Sequence, residues 1–558
     1  MRFSVVLFVL AALVAWLHAP LFAGGVLGAP DTDLFRATWG FDHQARSAPF
    51  WIWTDNVAFP DGAKVVVLPF LSSVLGAPLH AFFGPWNGYS AWVCLLIWAG
   101  AAATAWWVRE ISGSGAAGLL AGGAMLTQPL LLLAETEGTP EHLAYWALPV
   151  LLTCLWRARG VRAWVWGVAA GVAGFCLALD NPYGAVFAVL LALFPLWKAE
   201  RQGQVAFVAA SAVGALLLFG LYWGLSLDIP VPQRNANATS LLNWMDWDGG
   251  RPARPWDFTH PPTFVPGLTL FGASLLALLR PARTWPWVVV AGQCFVFSLG
   301  SAEENAVVLE GWFGGIGSAA AEGIGWLNNH AYPSFIRFPR RWLVPFAFAL
   351  WTAAGIGLGR VPQEWLRGWI AVFGLAGVTA ITLDQTSFRE AFPVTQVPKP
   401  AFVDFVAGHA AAGAVLVLPT RPIGENVVDI AGHPASGFAQ LDSRIGPSVD
   451  MSFLQVATGR KFVSGAPGLL TVGPRSAGLR ARETLLQQLD ALTRLGQDTV
   501  GMASVVSIVE AGLSFVIIDE AAYTPAGVDR LVEVFGKNTQ EARHFADGTG
   551  VTVLVVAP

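Results

Sequence analysis

Long apolar runs separated by short polar loops fill the first two thirds of the sequence. Each run is about 20 residues long, which is the length of helix that crosses the hydrocarbon core of a bilayer. The pattern therefore predicts a polytopic α-helical membrane protein with about 11 spans. We place the spans near residues 3–23, 87–108, 115–134, 142–157, 163–179, 183–197, 204–227, 264–280, 284–300, 341–359 and 365–383.

One further apolar stretch, residues 64–83, is interrupted by Pro69, Gly76 and Pro78. Proline removes a backbone donor and breaks a helix interior, and glycine weakens it. The stretch predicts a re-entrant or juxtamembrane element, and a full span is the alternative.

The pattern changes after residue 384. Strand-length apolar runs at 414–419, 514–519 and 551–556 alternate with helical patterns at 482–495 and 525–536. Such alternation is typical of a small α/β domain. We therefore predict two domains: a multi-span domain at 1–384, with a large first outer loop at 24–62, and a soluble α/β domain at 385–558.

The composition supports a membrane protein. Hydrophobic residues make up 54% of the chain and charged residues 13%, whereas a soluble domain carries about 25% charged residues. The net charge of −4 offers no basic surface for nucleic acid.

Lysine and arginine mark one side of the predicted membrane. Short loops with residues such as Arg109, Arg162 and Lys198 alternate along the chain with loops rich in acids. Because basic loops face the cytoplasm, the N-terminus is expected inside, and eleven spans place residues 385–558 outside.

The first outer loop carries several ionisable residues. It contains Asp31, Asp33 and Asp42, followed by His43. A carboxylate here would act as a general base or bind a divalent cation, Mg²⁺ or Mn²⁺, through its oxygens. Alternatively, Asp31 caps a helix and the other acids are solvated. The stretch LFRATWGF after Asp33 is apolar and aromatic enough to lie along the membrane surface.

A resemblance to a known class adds to this interpretation. One span, an acidic outer loop, many short-looped spans and a terminal outer domain together resemble GT-C membrane glycosyltransferases, which take sugars from polyprenyl-phosphate carriers. Segments similar to a bacterial GT-C-like group include GAPLHAFFGPWNGYSAWV, ETEGTPEHLAYWALPV, DNPYGAVFAVLLAL and RFPRRWLVPFAFAL. The resemblance implies a base in the first outer loop at Asp33 or Asp31, and a bacterial cytoplasmic (inner) membrane location.

Two other outer turns carry ionisable residues. The turn ETEGTPEH contains Glu135, Glu137 and His142, which would bind a metal or the carrier phosphate, or would form an interfacial cap. Asp180 ends a span, where an ionisable residue is a functional candidate. It would otherwise cap the next helix together with Asn181 and Pro182.

Three arginines enter a predicted span from the outer side: Arg337, Arg340 and Arg341. Guanidinium groups bind phosphate through paired hydrogen bonds. They would neutralise a carrier phosphate, or would pair with loop acids or lipid headgroups.

We therefore expect transfer of a sugar from a polyprenyl-phosphate carrier to an extracytoplasmic acceptor. Asp33 would deprotonate the acceptor hydroxyl beside Asp31, while Glu137, His142 or a metal orients the site. The alternative is a non-catalytic lipid-glycan transporter or a membrane assembly scaffold. The expected partners are the membrane and the lipid-linked donor, and the sequence names no protein partner.

Overall fold

A computed structural model describes the protein over most of its spans and over parts of its C-terminal third. The described residues are 3–18, 25–29, 34–46, 53–54, 63–66, 69–126, 131, 134–135, 138–225, 275–299, 310–311, 314–330, 342–362, 364–365, 368, 394–418, 451–463, 470–471, 509–520, 525–546 and 550–557.

Helices form most of the described structure. In chain order they are α1 (Phe3–Leu17), α2 (Leu34–Arg46), α3 (Phe70–Leu75), α4 (Ala77–Ser112), α5 (Gly115–Leu126), α6 (Ala147–Arg157), α7 (Ala163–Asp180), α8 (Pro182–Lys198), α9 (Arg201–Leu225), α10 (Pro281–Leu299), α11 (Gly315–His330), α12 (Leu343–Leu358), α13 (Ala401–Gly408), α14 (Met451–Thr458) and α15 (Pro525–Gly536).

The described strands lie in the first outer loop and the C-terminal third. They are β1 (Val26–Leu27), β2 (Trp53–Thr54), β3 (Ala63–Val66), β4 (Val394–Thr395), β5 (Ala414–Leu418), β6 (Leu470–Thr471), β7 (Leu513–Asp519), β8 (Thr539–Phe545) and β9 (Val551–Val556).

Contacts between Cα atoms divide the chain into two compact units. The helical unit comprises Met1–Gly28, Ser90–Gly220 and Ile229–Val394. The mixed unit comprises Ala29–Tyr89, Leu221–Asp228 and Thr395–Pro558. The first outer loop and the C-terminal third therefore belong to the same unit, although the chain between them is long.

Close helix packing holds the helical unit together. A side chain at Gly167 of α7 would meet the backbone oxygen of Gly203 in α9 at 2.3 Å. Larger residues fill the gaps elsewhere: Trp107 contacts Trp287 edge to face at 5.4 Å and donates its indole hydrogen to Thr352 Oγ1 at 3.0 Å. Small residues let helices approach, and the one polar indole atom is satisfied by a hydroxyl.

Three described helices are long and apolar enough to cross a membrane: Ala77–Ser112, Gly160–Asp180 and Arg201–Leu218. Other apolar helices occupy predicted spans but are shorter, and span 365–383 lies almost entirely outside the described residues. The membrane character and the helical fold agree with the sequence. The number of spans stays a prediction.

The mixed unit contains a four-stranded sheet with the order β5-β7-β9-β8, in which only β5 and β7 run parallel. Strands β5, β7 and β9 lie where the sequence predicts strands, whereas β8 was not predicted. Side chains alternate between the two faces of β5: Val415 and Val417 join one buried cluster, and Leu416 and Leu418 join another. The sheet is therefore covered on both faces, while the domain boundary at 385 stays a prediction.

The first outer loop is built into one of these faces. Phe35 of α2 belongs to the same buried cluster as Phe402 and Phe453. Strand β3 pairs with β2 and also, in antiparallel register, with β6 of the C-terminal third, where Val65 faces Thr471. The stretch that we expected along the membrane surface is the first part of α2, whose Phe35 belongs to this cluster, and its place at the membrane stays a prediction.

The stretch 64–83 contains β3, α3 and the beginning of α4, which does not fit the alternative of a single helical span. The segment between the predicted spans 284–300 and 341–359 contains α11, where Ile316 and Trp326 are exposed.

Candidate functional site

Six of the predicted site residues lie outside the described residues: Asp31, Asp33, Glu137, Arg337, Arg340 and Arg341. Their roles stay predictions. The described candidates are Glu135, His142 and Asp180 in the helical unit, and Asp42 and His43 in the mixed unit.

Asp42 is the acid of the first outer loop that lies within the described residues. Its Oδ1 accepts hydrogen bonds from His80 Nε2 at 2.6 Å and from Arg46 Nε at 2.8 Å. Arg46 reaches Asp42 because it lies four residues further along the same helix. With two donors on one oxygen, Asp42 joins α2 to α4 and serves as an anchor in the loop.

The backbone around α4 brings His80 to this position. The helix is interrupted at Gly84, whose φ of +74° favours glycine. After the interruption, Gly88 returns against the backbone of His80, where a Cβ would lie 3.0 Å from the His80 Cα. Phe41 of α2 tilts against the imidazole at 5.9 Å between ring centroids. The His80 ring is therefore held by the hydrogen bond of Nε2 to Asp42 and by its contact with the Phe41 ring.

His43 has a different environment from His80. Its ring stacks on Trp39 with a centroid distance of 5.1 Å and an interplanar angle of 1°. Burial lowers the pKa of His43 from its ordinary value of 6.5, against the opposing charge of Asp42. Its Nε2 is buried and has no hydrogen-bond partner among the described residues. A neutral, stacked imidazole suits a packing role in α2.

Glu135 of the helical unit is bound to a histidine that we did not single out. His18, at the end of α1, lies 2.8 Å from Glu135 Oε1 through Nε2 and 2.8 Å from the Val14 carbonyl through Nδ1. A carbonyl only accepts, so Nδ1 carries a hydrogen. Nε2 then faces the Glu135 carboxylate, and a hydrogen on either Nε2 or Oε1 completes the second hydrogen bond.

The predicted metal site finds no support in the described part of the chain. Within those ranges, no group of three or more His, Cys, Asp or Glu side chains is placed to hold a metal ion. Beside Glu135 is a cavity of about 10 Å³ lined by Tyr145 and apolar side chains, which is room for about one water molecule. Of the described candidates, Glu135 already uses Oε1 to bind His18, and the metal stays a prediction.

Asp180 is completely buried at the end of α7. The next residue, Asn181, caps α8 by accepting a hydrogen bond from the Gly184 backbone nitrogen at 2.8 Å. Asn181 thus takes part in the capping that the sequence predicted for this turn, and the role of Asp180 stays a prediction. Tyr183, in the first turn of α8, lies 5.9 Å from the ring of His142.

Trp342 is the first described residue after the predicted arginines. Its indole ring packs between Phe187 of α8 and Phe297 of α10, each at 4.8 Å between centroids. These contacts anchor the start of α12 in the helical unit, directly after Arg340 and Arg341 in the sequence.

Sequence reasoning missed His18 and His80. Each is a lone histidine near an apolar run, and each acquires its acid partner from a distant part of the chain. No local spacing signals such a pair.

No protein-family model and no curated protein matches the sequence. Two structures of the arabinofuranosyltransferase AftD from Mycobacteria align with 99% of this chain at 18% identity, with TM-scores of 0.56 and 0.53. The chain covers 41% of AftD and so spans less than half its length. ArnT from Cupriavidus metallidurans aligns with 99% of this chain and 97% of its own at 12% identity, and its TM-score of 0.47 is too low to support a conclusion.

The likeness to AftD concerns the fold. This similarity in fold agrees with the resemblance stated from the sequence.

Proposed function

We propose that the protein is a membrane glycosyltransferase that transfers a sugar from a polyprenyl-phosphate carrier to an extracytoplasmic acceptor. The observation that carries the proposal is the fold likeness to an arabinofuranosyltransferase over 99% of the chain. The chemistry must come from side chains, because a shared fold does not fix an activity.

The first outer loop supplies the base in this proposal. Asp33, with Asp31 beside it, removes the proton from the acceptor hydroxyl. Asp33 immediately precedes Leu34, where α2 begins, and a carboxylate is favourable at a helix N-terminus. The neighbouring acid, Asp42, is already engaged by His80 and Arg46, which supports the assignment to Asp33.

The departing carrier phosphate needs positive charge as the glycosidic bond breaks. Arg337, Arg340 and Arg341 supply it in this proposal. Glu137 and His142 orient the donor, and Asp180 contributes a buried carboxylate near α8. A Mg²⁺ or Mn²⁺ ion held by Asp31 and Glu137 remains a proposal, and no step is assigned to it.

The cellular arrangement is proposed with the same function. The N-terminus lies in the cytoplasm, and residues 385–558 lie outside the cytoplasmic (inner) membrane of a bacterium. The acceptor then meets the carrier at the outer face, where the first outer loop is expected.

The test uses the purified full chain with polyprenyl phosphates that carry arabinofuranose, mannose or glucose. Release of free polyprenyl phosphate is measured by mass spectrometry, with and without an added glycan acceptor. We expect acceptor-dependent release from one donor, and a loss of about 10²–10⁴-fold in rate for Asp33→Asn, since that is the usual contribution of a general base.

The control for this test is Asp404→Asn, in the first turn of α13, which is expected to keep the natural rate. An unchanged rate in Asp33→Asn would remove the base assignment. No release from any donor would contradict the transferase itself and favour the transporter or scaffold.

A further inference from the structure

The C-terminal third of the chain packs directly on the helix that follows the proposed base. The ring of Phe453 in α14 contacts the ring of Phe35 in α2 at a centroid distance of 5.3 Å, edge to face. Trp86 contacts both rings, at 5.7 Å from Phe453 and 6.2 Å from Phe35. Three distant segments of the mixed unit therefore meet in one aromatic cluster.

The burial of α2 shows how firmly it is held. Every residue from Thr38 to Gln44 is buried, including the polar ones. Seven consecutive residues cover two turns, so the helix is enclosed around its whole circumference. A helix that only rested on a surface would leave one face exposed.

Two further connections restrain the same loop. Strand β3 pairs with β6 through Val65–Thr471 and Val66–Leu470. The carboxylate of Asp42 in α2 binds His80 in α4 at 2.6 Å. Phe35 and Asp42 thus connect the loop to the C-terminal third and to α4, and β3, directly after the loop, adds a second connection to the C-terminal third.

We propose that Phe453 is a positioning residue for the transfer reaction: it packs on Phe35 and so fixes α2, the helix that directly follows the proposed acid in the sequence. This inference rests on the proposed function and assigns a role to the C-terminal third. Asp33 is two residues before Phe35 in the sequence, so a change in the position of α2 would be passed on to Asp33 through the chain. A misplacement of about 1 Å at a reacting group costs about 10²-fold in rate.

The opposite face of the sheet offers a matched control. Phe535 of α15 is as deeply buried as Phe453, with exposures of 1% and 0%, but it belongs to the other buried cluster, which contains no residue of the first outer loop. Phe453→Leu and Phe535→Leu remove the same atoms and leave comparable cavities, so a purely structural effect should be similar in both.

The experiment compares kcat, KM and thermal unfolding for these two variants, using the donor on which the natural chain is active. We expect Phe453→Leu to lower kcat roughly tenfold to a hundredfold with KM for the donor within twofold, while Phe535→Leu keeps kcat within threefold at a similar Tm. Phe453→Met, which refills the site with a flexible side chain, should recover most of the lost kcat. Equal loss of kcat in the two leucine variants would overturn the proposal.

A second measurement does not need activity. Hydrogen exchange of the amides in residues 34–46 should become at least tenfold faster in Phe453→Leu and stay unchanged in Phe535→Leu. Unchanged exchange in Phe453→Leu would overturn the anchoring of α2. If exchange is faster in Phe453→Leu but the natural chain transfers sugar from none of the donors, the anchoring of α2 is retained and only the transferase is contradicted.

Discussion

Two histidine–carboxylate pairs, one from each unit of the molecule, differ in what surrounds them. In the helical unit, the His18 and Glu135 side chains are 3% and 2% exposed and lie 2.8 Å apart. In the mixed unit, the His80 and Asp42 side chains are 15% and 11% exposed, and Arg46 also binds Asp42.

The comparison separates two uses of the same two side-chain types. In a deeply buried pair, removal of one member leaves the other as an unpaired group in a low dielectric. In a more exposed pair with a second cation, the carboxylate keeps a hydrogen-bond partner when the histidine is lost. Substitution of each histidine by leucine makes this difference measurable.

The largest effect is expected for His18→Leu. The variant leaves Glu135 buried without its partner, which destabilises a protein by about 3–5 kcal/mol. Thermal unfolding followed by tryptophan fluorescence measures the loss. In the double variant His18→Leu/Glu135→Leu, with no polar group left behind, most of the stability should return. A single variant as stable as the natural chain would show that water reaches Glu135.

An intermediate effect is expected for His80→Leu. The Asp42 carboxylate loses one charge-assisted hydrogen bond and keeps Arg46, so the cost should be about 1–3 kcal/mol. The same fluorescence assay gives the value. His80→Gln, whose amide nitrogen can still donate to Asp42, is the control and should lose less. A loss equal to that of His18→Leu would contradict the distinction between the pairs.

The smallest effect concerns His43, which lies beside Asp42 without sharing its hydrogen bonds. Because burial lowers its pKa from 6.5, the unfolded chain binds more protons than the folded chain below that value, and stability falls as pH decreases through it. His43→Phe preserves the stacking on Trp39 and removes the titration. Between pH 7.5 and pH 5.5, Tm should fall less in the variant, by roughly 1–3 °C; an identical fall would assign the acid sensitivity to other groups.

Local pattern predicted the elements of this fold well. Apolar periodicity located most of the helices, and the runs at 414–419, 514–519 and 551–556 coincide with β5, β7 and β9. These signals are local, since each depends on side chains that are neighbours in sequence.

The contacts that give the candidate site its shape could not be predicted in the same way. His18 and Glu135 are 117 residues apart, and Asp42 and His80 are 38 residues apart. The aromatic stretch after Asp33 reads equally well as a surface helix or as a core helix, because only its distant partner Phe453 decides which face is covered. Sequence reasoning therefore found the acidic loop but not the distant residues that hold it in place.

The packing of the first outer loop on the C-terminal third can form only after both parts of the chain have been synthesised. Phe35 is synthesised before Phe453 and before the sheet that completes its cluster. At about 5–20 residues per second, the interval is on the order of tens of seconds. During that time the aromatic side chains of the loop lack their final partners, and their apolar surface stays open to other contacts until Phe453 and the sheet have been made.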